Sequence, residues 1–243
     1  MLTPFMSCSA KIPIYALFAA AFFPKYSALF MICMYLLGII VGIIASLILS
    51  KTVYRGKPVP FVMELPNYRL PTPQNTLHLM WDKAKDFLQR AFSVIFVASI
   101  VIWFLRSFDT RLNFVDNSEA SLLAVVGGWI APIFKPLGFG DWKMSTALIT
   151  GVMAKEAVVS TLGILVSTGE EALAGFLPAF MSTPAALSFV TFTLLYTPCI
   201  AAVAAIRREF GGSVWKTVGI VAAQCAVAWV TAFLVYLVSG LLV

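Results

Sequence analysis

Gly151-Val152-Met153-Ala154-Lys155-Glu156-Ala157-Val158-Val159-Ser160-Thr161-Leu162-Gly163 decides how the rest of this chain is read. It lies inside an apolar run from Met144 to Val166. Such a run can cross a bilayer, since a helical span needs about 20 residues. Yet a lysine and a glutamate stand side by side in its middle. An ionisable group at the bilayer centre costs about 2.5–3.5 kcal/mol on insertion scales. Two readings of the pair stay open: a polar site on a transport path, or a self-neutralising pair buried between helices.

The composition settles the solvent. The chain is 60% hydrophobic and 12% charged, with a mean hydropathy of +0.93. A soluble domain carries about 25% charged residues and could not cover this much apolar surface. The apolar segments are continuous runs without the alternation of barrel strands. The fold class is therefore all-α: a polytopic helical membrane protein with broken helices. The net charge of +6 reads as a topology signal. The basic residues flank spans and form no patch for nucleic acid, so no nucleic-acid partner is expected. Cys8, Cys33, Cys199 and Cys225 have no CxxC spacing and form no disulfide framework. Met1 is followed by neither a basic region nor a cleavage site, so no secretory leader is expected. No P-loop, dinucleotide-binding glycine pattern or HExxH occurs. Any energy source comes from elsewhere, and the chain is not expected to be an enzyme.

Taken in order, three segments emerge. Residues 1–50 hold a polar patch bracketed by Pro4 and Pro13, a half-length helix to Phe23, and a full span from Ala28 to Leu49. Proline lacks the amide donor and resists continuous helix, so the patch reads as a break. A break exposed to lipid would leave backbone groups unpaired, so protein or water must line it. The start at such a break makes the chain read as one half of something larger. Gly38 and Gly42 have the spacing of a close helix contact.

Residues 51–90 form a basic loop, placed in the cytoplasm by its lysines and arginines. Its first half is rich in proline and extended. From Asn75, Leu77, Met80, Trp81, Ala84, Phe87 and Leu88 recur at helical spacing and predict an amphipathic helix that lies at the interface and feeds the next span. His78 is the one histidine and reads as a surface residue.

Residues 91–243 are a C-terminal transmembrane bundle. Ala91–Leu105 is a span. Leu122–Phe134 is short and broken by glycine and proline, either a thin span or a re-entrant piece. Asp141 is the expected N-cap of the central segment. Residues 167–182 read as an external loop, because Gly169-Glu170-Glu171 is acidic and no lysine or arginine occurs from residue 156 to 206. Thr183–Ile206 is interrupted at Tyr196-Thr197-Pro198-Cys199, and Trp215–Tyr236 closes the chain. If residues 122–134 cross, charge counting puts the C-terminus outside.

Three breaks thus interrupt apolar segments: Met6-Ser7-Cys8-Ser9, Lys155-Glu156 and Thr197-Pro198-Cys199. Transporter sites are commonly built from discontinuous helices near the midplane. The side chains here are thiol, hydroxyl and carboxylate. Sulfur with a carboxylate suits a borderline or soft divalent metal better than Ca²⁺ or Mg²⁺. The bland reading of Cys8 and Cys199 is packing, as free cysteine behaves as a small hydrophobe. Cys33 and Cys225, in unbroken spans, read as packing.

Four ordered motifs point to a family. Leu2-Thr-Pro-Phe-Met-Ser-Cys-Ser-Ala-Lys-Ile-Pro-Ile-Tyr15 resembles the second Gate motif of FeoB-type ferrous iron transporters. Met63-Glu-Leu-Pro-Asn-Tyr-Arg-Leu-Pro71 with Leu79–Leu88, Ala154–Gly163 and Leu195–Glu209 resemble the segments after it. The resemblance implies the C-terminal half of a Gate-type permease, in the bacterial inner membrane, with Fe²⁺ as transported substrate and no permanently bound cofactor. It assigns Cys8 to the iron path and matches Cys199; Glu156, Ser7 and Ser9 are added here from their positions. It further implies an N-terminal FeoB-like half with a GTPase domain, small Feo accessory proteins and an oligomer as partners, besides the lipid bilayer. The GTP-binding residues have no counterpart in this sequence, so nucleotide hydrolysis is not expected of it. Two other readings remain: a Gate-type permease for another solute, such as a nucleoside, and a non-transporting fragment.

Overall fold

The structure is a computed structural model. It describes residues 5, 8–52, 72–109, 111, 113–114, 121–166, 170–196 and 199–242. Ser7, most of the proline-rich stretch and Thr197-Pro198 lie outside the described residues. Ten α-helices follow one another among those described. They are α1 (Ile12–Phe22), α2 (Ser27–Thr52), α3 (Pro73–Ser107), α4 (Leu122–Phe134), α5 (Trp142–Gly151), α6 (Ala157–Leu165), α7 (Glu170–Phe180), α8 (Thr183–Leu195), α9 (Ile200–Glu209) and α10 (Val214–Leu242). The all-α membrane architecture expected from composition is what is found.

Two of these helices are long and apolar enough to span a membrane, within Pro24–Leu49 and Val214–Leu241. Both turn most of their apolar side chains outward, as a lipid-facing helix does. Two further apolar units are bent. Leu122–Leu137 and Trp142–Gly151 meet at 104°, and Leu173–Phe180 and Thr183–Leu195 meet at 115°. The number of spans reaches four if each bent pair crosses. Gly127, Gly128 and Pro132 do not break α4, which runs unbroken from Leu122 to Phe134; the bend comes after it, between Leu137 and Trp142.

The hub is α8. From Ala185 to Tyr196 every residue but Leu187 is buried. A helix apolar on all sides is stable only when surrounded, and α10, α1 and α2 supply the surround. Its polar members are satisfied locally. The hydroxyls of Thr191 and Thr193 donate to Leu187 O and Phe189 O, each at 2.8 Å. Ser188 donates across to Ala232 O of α10 at 3.1 Å. In a water-poor interior such pairing is required, because an unpaired buried hydroxyl costs roughly 1–3 kcal/mol.

Local signals are met where chemistry forces them. Asp141 caps α5, its Oδ1 accepting from Lys143 N at 3.3 Å. Gly38 of α2 lies where a Cβ would crowd Phe5 O, so one of the two small residues does serve a close approach. One expectation is corrected. Residues 167–182 are not simply a loop, because most of them form α7. Leu173 and Leu177, one turn apart, are buried, and α7 packs on α1 and α6. Burial of that stripe stabilises a helix that the acidic start disguises.

Candidate functional site

The run from Met144 to Val166 is not one helix. α5 stops at Gly151 and α6 starts at Ala157. The second interrupted pair, α8 and α9, stops at Leu195 and restarts at Ile200. The two interruptions lie against each other. Ile200 N donates to Val152 O at 3.0 Å, and Tyr196 OH donates to Leu148 O at 3.1 Å. The start of α9 is thus tied by backbone to the residue that follows α5, and the Tyr196 hydroxyl adds a second tie to α5 itself.

Lys155 occupies the crossing. It is 3% exposed. Its Nζ donates to Thr193 O at 3.2 Å and lies 3.3 Å from the centroid of the Tyr196 ring. Both partners make sense electrostatically. Thr193 O is among the last carbonyls of α8, which lack intrahelical donors and carry the negative end of the helix dipole. The ring face offers a negative quadrupole, worth about 2 kcal/mol to a desolvated cation. Tyr196 is itself fixed by stacking on Phe192 at 5.3 Å, and Phe192 packs edge-on against Phe134 at 5.1 Å. Gly151 permits the arrangement, since a Cβ there would overlap Tyr196 Oη and Val158 Cγ2.

The first break approaches the same place. Lys11, at the entry of α1, is also 3% exposed. Its backbone N donates to Cys8 O at 3.1 Å. Lys11 and Lys155 are within electrostatic range of each other, and Cys8 and Cys199 are within range of both. Cys225 of α10 is within range of Lys155. Lys155 thus sits against Tyr196, with a second buried lysine, Lys11, and the sulfurs of Cys8, Cys199 and Cys225 within its electrostatic range.

The sequence-derived residues distribute as follows. Cys8 and Cys199 lie within electrostatic range of Lys11 and Lys155, Cys8 exposed and Cys199 half-buried. Ser9 is exposed beside Cys8. Glu156 is exposed, so the adjacent pair splits, with the lysine turned inward and the carboxylate outward. The self-neutralising reading of that pair does not hold. Ser7 lies outside the described residues. Among the described residues, no group of three or more His, Cys, Asp or Glu side chains is placed to hold a metal ion. Sequence reasoning singled out the Lys155–Glu156 pair but carried Glu156 rather than Lys155 into the candidate site; it passed over Lys11 and Tyr196 and took Cys225 for packing. The usable signal was two lysines placed at breaks in apolar segments. Cys33, by contrast, is exposed on α2.

Comparison with known proteins gives the family. The Gate family model, described as nucleoside recognition, matches residues 88–213, more than half of the chain. The chain belongs to the Gate family. Both central interruptions, 152–156 and 196–199, fall within the Gate match, while Cys8 and Lys11 precede it. A second model, described as ferrous iron transport protein B C terminus, matches residues 31–83. The Fe(2+) transporter FeoB of Staphylococcus aureus (strain COL) is 37% identical over 243 residues, which is 100% of this chain and 36% of the relative. The Fe(2+) transporter FeoB of Methanocaldococcus jannaschii is 35% identical over 250 residues, covering 100% of this chain and 37% of the relative. A protein of Porphyromonas gingivalis named Fe(2+) transport protein A/Fe(2+) transporter FeoB fusion protein is 35% identical over 284 residues, 97% of this chain and 33% of its own length. The Gate chain thus spans about a third of the length of the relatives it matches, and the likeness to the FeoB C-terminal region read from its motifs is found. No solved structure matches it significantly.

Proposed function

We propose that this chain is the permease portion of a FeoB-like transporter and carries Fe²⁺ across the bacterial inner membrane. The observation that carries the reading is the crossing of two interrupted helical pairs, with Cys8 and Cys199 within electrostatic range of the same buried lysines. Thiolate sulfur is a ligand for borderline metals such as Fe²⁺, and cysteine at a helix break can reach an ion that an unbroken helix would exclude. The relatives' names support the choice of ion.

The two lysines do not forbid a cation. The Lys155 ammonium is engaged by a helix-end carbonyl and a ring face, so its field toward the passage is partly answered. In this reading Cys8 and Cys199 hand on the ion as direct ligands. Glu156, with Ser7 and Ser9, contributes oxygen donors to an ion that keeps part of its water shell. Fe²⁺ is substrate, and no cofactor is bound permanently. Coupling to nucleotide belongs to an N-terminal FeoB-like part with its GTPase domain. A small Feo accessory protein and an oligomeric assembly complete the proposed machine.

The test is uptake of radiolabelled Fe²⁺ by the chain assembled with the rest of a FeoB-type transporter. Cys8→Ser and Cys199→Ser should each cut uptake about tenfold or more, the loss typical of disturbing a metal ligand set. Uptake unchanged in both removes the sulfurs from the path.

The description of the Gate model favours a second reading, in which the solute is a nucleoside. Nucleoside sites need aromatic and amide groups to stack and hydrogen-bond the base. Gln224, 4% exposed, is the amide noted in these spans. Competition decides: nucleosides that block uptake of Fe²⁺ at the same site favour this reading.

A further inference from the structure

The two full-length apolar spans end beside one groove between α2 and α10. Leu49, the last residue of the first span, lines it, and so does Lys216, two residues inside the second. Its mouth therefore lies where both spans leave the hydrocarbon, the level of the phospholipid headgroups. From Lys216 to Val227 the lining follows α10 for about 16 Å at the helical rise. That is close to half of the ~30 Å hydrocarbon core. The groove is thus one leaflet deep. Phe5 stands at its inner end, for Phe5 O lies against Gly38, about three turns before Leu49 on α2.

Volume and depth together restrict the occupant. The groove holds about 580 Å³. Over that depth this leaves a channel roughly 7 Å across, whereas a helix with its side chains is about 10–12 Å wide. A further helix does not enter it; an acyl chain does. Left empty, its walls would lose van der Waals partners. Apart from Lys216 and the buried Gln224, every lining residue is apolar, the surface a lipid tail fits. The charge at the mouth selects the headgroup. Lys216 lines the groove, and among the described residues no carboxylate does. Lys51 follows Leu49 by two residues, and Arg207 and Arg208 precede Phe210 of the lining, with Glu209 between. This basic balance favours a headgroup of net negative charge over a zwitterionic one.

We propose that this groove holds an acyl chain of an anionic phospholipid, with the lipid phosphate at Lys216. The proposal does not depend on which solute the chain carries. Native mass spectrometry of the purified full chain, offered phosphatidylglycerol or phosphatidylcholine, tests it. Phosphatidylglycerol should be retained about fivefold better, the worth of one lysine beside an anionic headgroup. Lys216→Gln should abolish that preference, and Lys216→Arg should keep it. Gly219 lines the groove and has open space where a Cβ would stand. Gly219→Leu therefore fills the groove without opposing the helix, in which leucine is favoured over glycine, and should strip both lipids. Equal retention of the two lipids by the unchanged chain, a preference that survives Lys216→Gln, or unaltered lipid retention in Gly219→Leu overturns the proposal. A dimer that Gly219→Leu dissociates while both lipids stay bound would give the groove to a second copy of the chain, and the lipid reading would fail.

Discussion

The Nζ of Lys155 lies 3.3 Å from the centroid of the Tyr196 ring. One residue belongs to the break between α5 and α6, the other to the break between α8 and α9. The contact therefore ties the two interruptions together, and it does so through a lysine that has almost no access to solvent. A buried ion is costly to keep, and its retention is commonly linked to specificity or function rather than to stability.

Tyr196 should separate ring from hydroxyl. Tyr196→Phe keeps the ring face and loses the bond to Leu148 O, at a cost of about 1 kcal/mol. Tyr196→Leu also removes the cation–π partner and leaves the ammonium exposed to apolar atoms, at a further cost of about 2 kcal/mol. Thermal unfolding in detergent should rank wild type above Tyr196→Phe and Tyr196→Phe above Tyr196→Leu. Equal loss in the two variants would mean that the ring carries no charge-related duty.

Lys155→Met exchanges the ammonium for an apolar chain of similar length. Replacing a buried charge by an apolar group is often neutral or stabilising. The variant should keep or raise the midpoint of thermal unfolding while Fe²⁺ uptake by the assembled transporter falls. A large drop in the midpoint would make Lys155 a structural strut.

Gly151→Ala should act through Tyr196. The added methyl overlaps Tyr196 Oη and Val158 Cγ2, and overpacking of this kind costs about 1–3 kcal/mol. Tyr196→Phe removes one of the two obstacles. The double variant should lose less than the sum of the single losses, because the two positions share a contact. Strict additivity in thermal unfolding would contradict the packing described.

Much of the framework was legible in the chain. The breaks at Lys155 and at Thr197-Pro198 announce themselves because charge and proline are both expensive in an apolar helix. The cap at Asp141 and the helix expected from Asn75, which starts two residues earlier at Pro73, follow local chemistry, and local chemistry is what a sequence records. α7 was hidden, since its buried stripe of Leu173 and Leu177 matters only once α1 is beside it. The orientation of the Lys155–Glu156 pair was hidden for a related reason. Neighbouring side chains at the foot of a helix point about 100° apart, and nothing local says which one turns inward. Lys11 and Cys225 come within electrostatic range of Lys155 from segments far apart in sequence, which periodicity does not encode.

Asp141 offers a check on the local part of the account. Asp141→Ala removes the cap of α5 and should lower stability by about 1 kcal/mol, while Asp141→Asn should retain most of it. Thermal unfolding of the two variants reads the difference, and equal losses would take the cap out of the stability of α5.

The central claim is that Cys8 and Cys199 face one passage. The direct measurement uses the full chain with Cys33 and Cys225 changed to serine, leaving those two thiols. Maleimide labelling is followed with and without micromolar Cd²⁺, a soft cation that bridges neighbouring thiolates. The account predicts that Cd²⁺ protects both thiols together, and that Cys8→Ser abolishes protection of Cys199. Labelling of each thiol that ignores Cd²⁺, or protection of Cys199 that survives the loss of Cys8, would contradict a shared path.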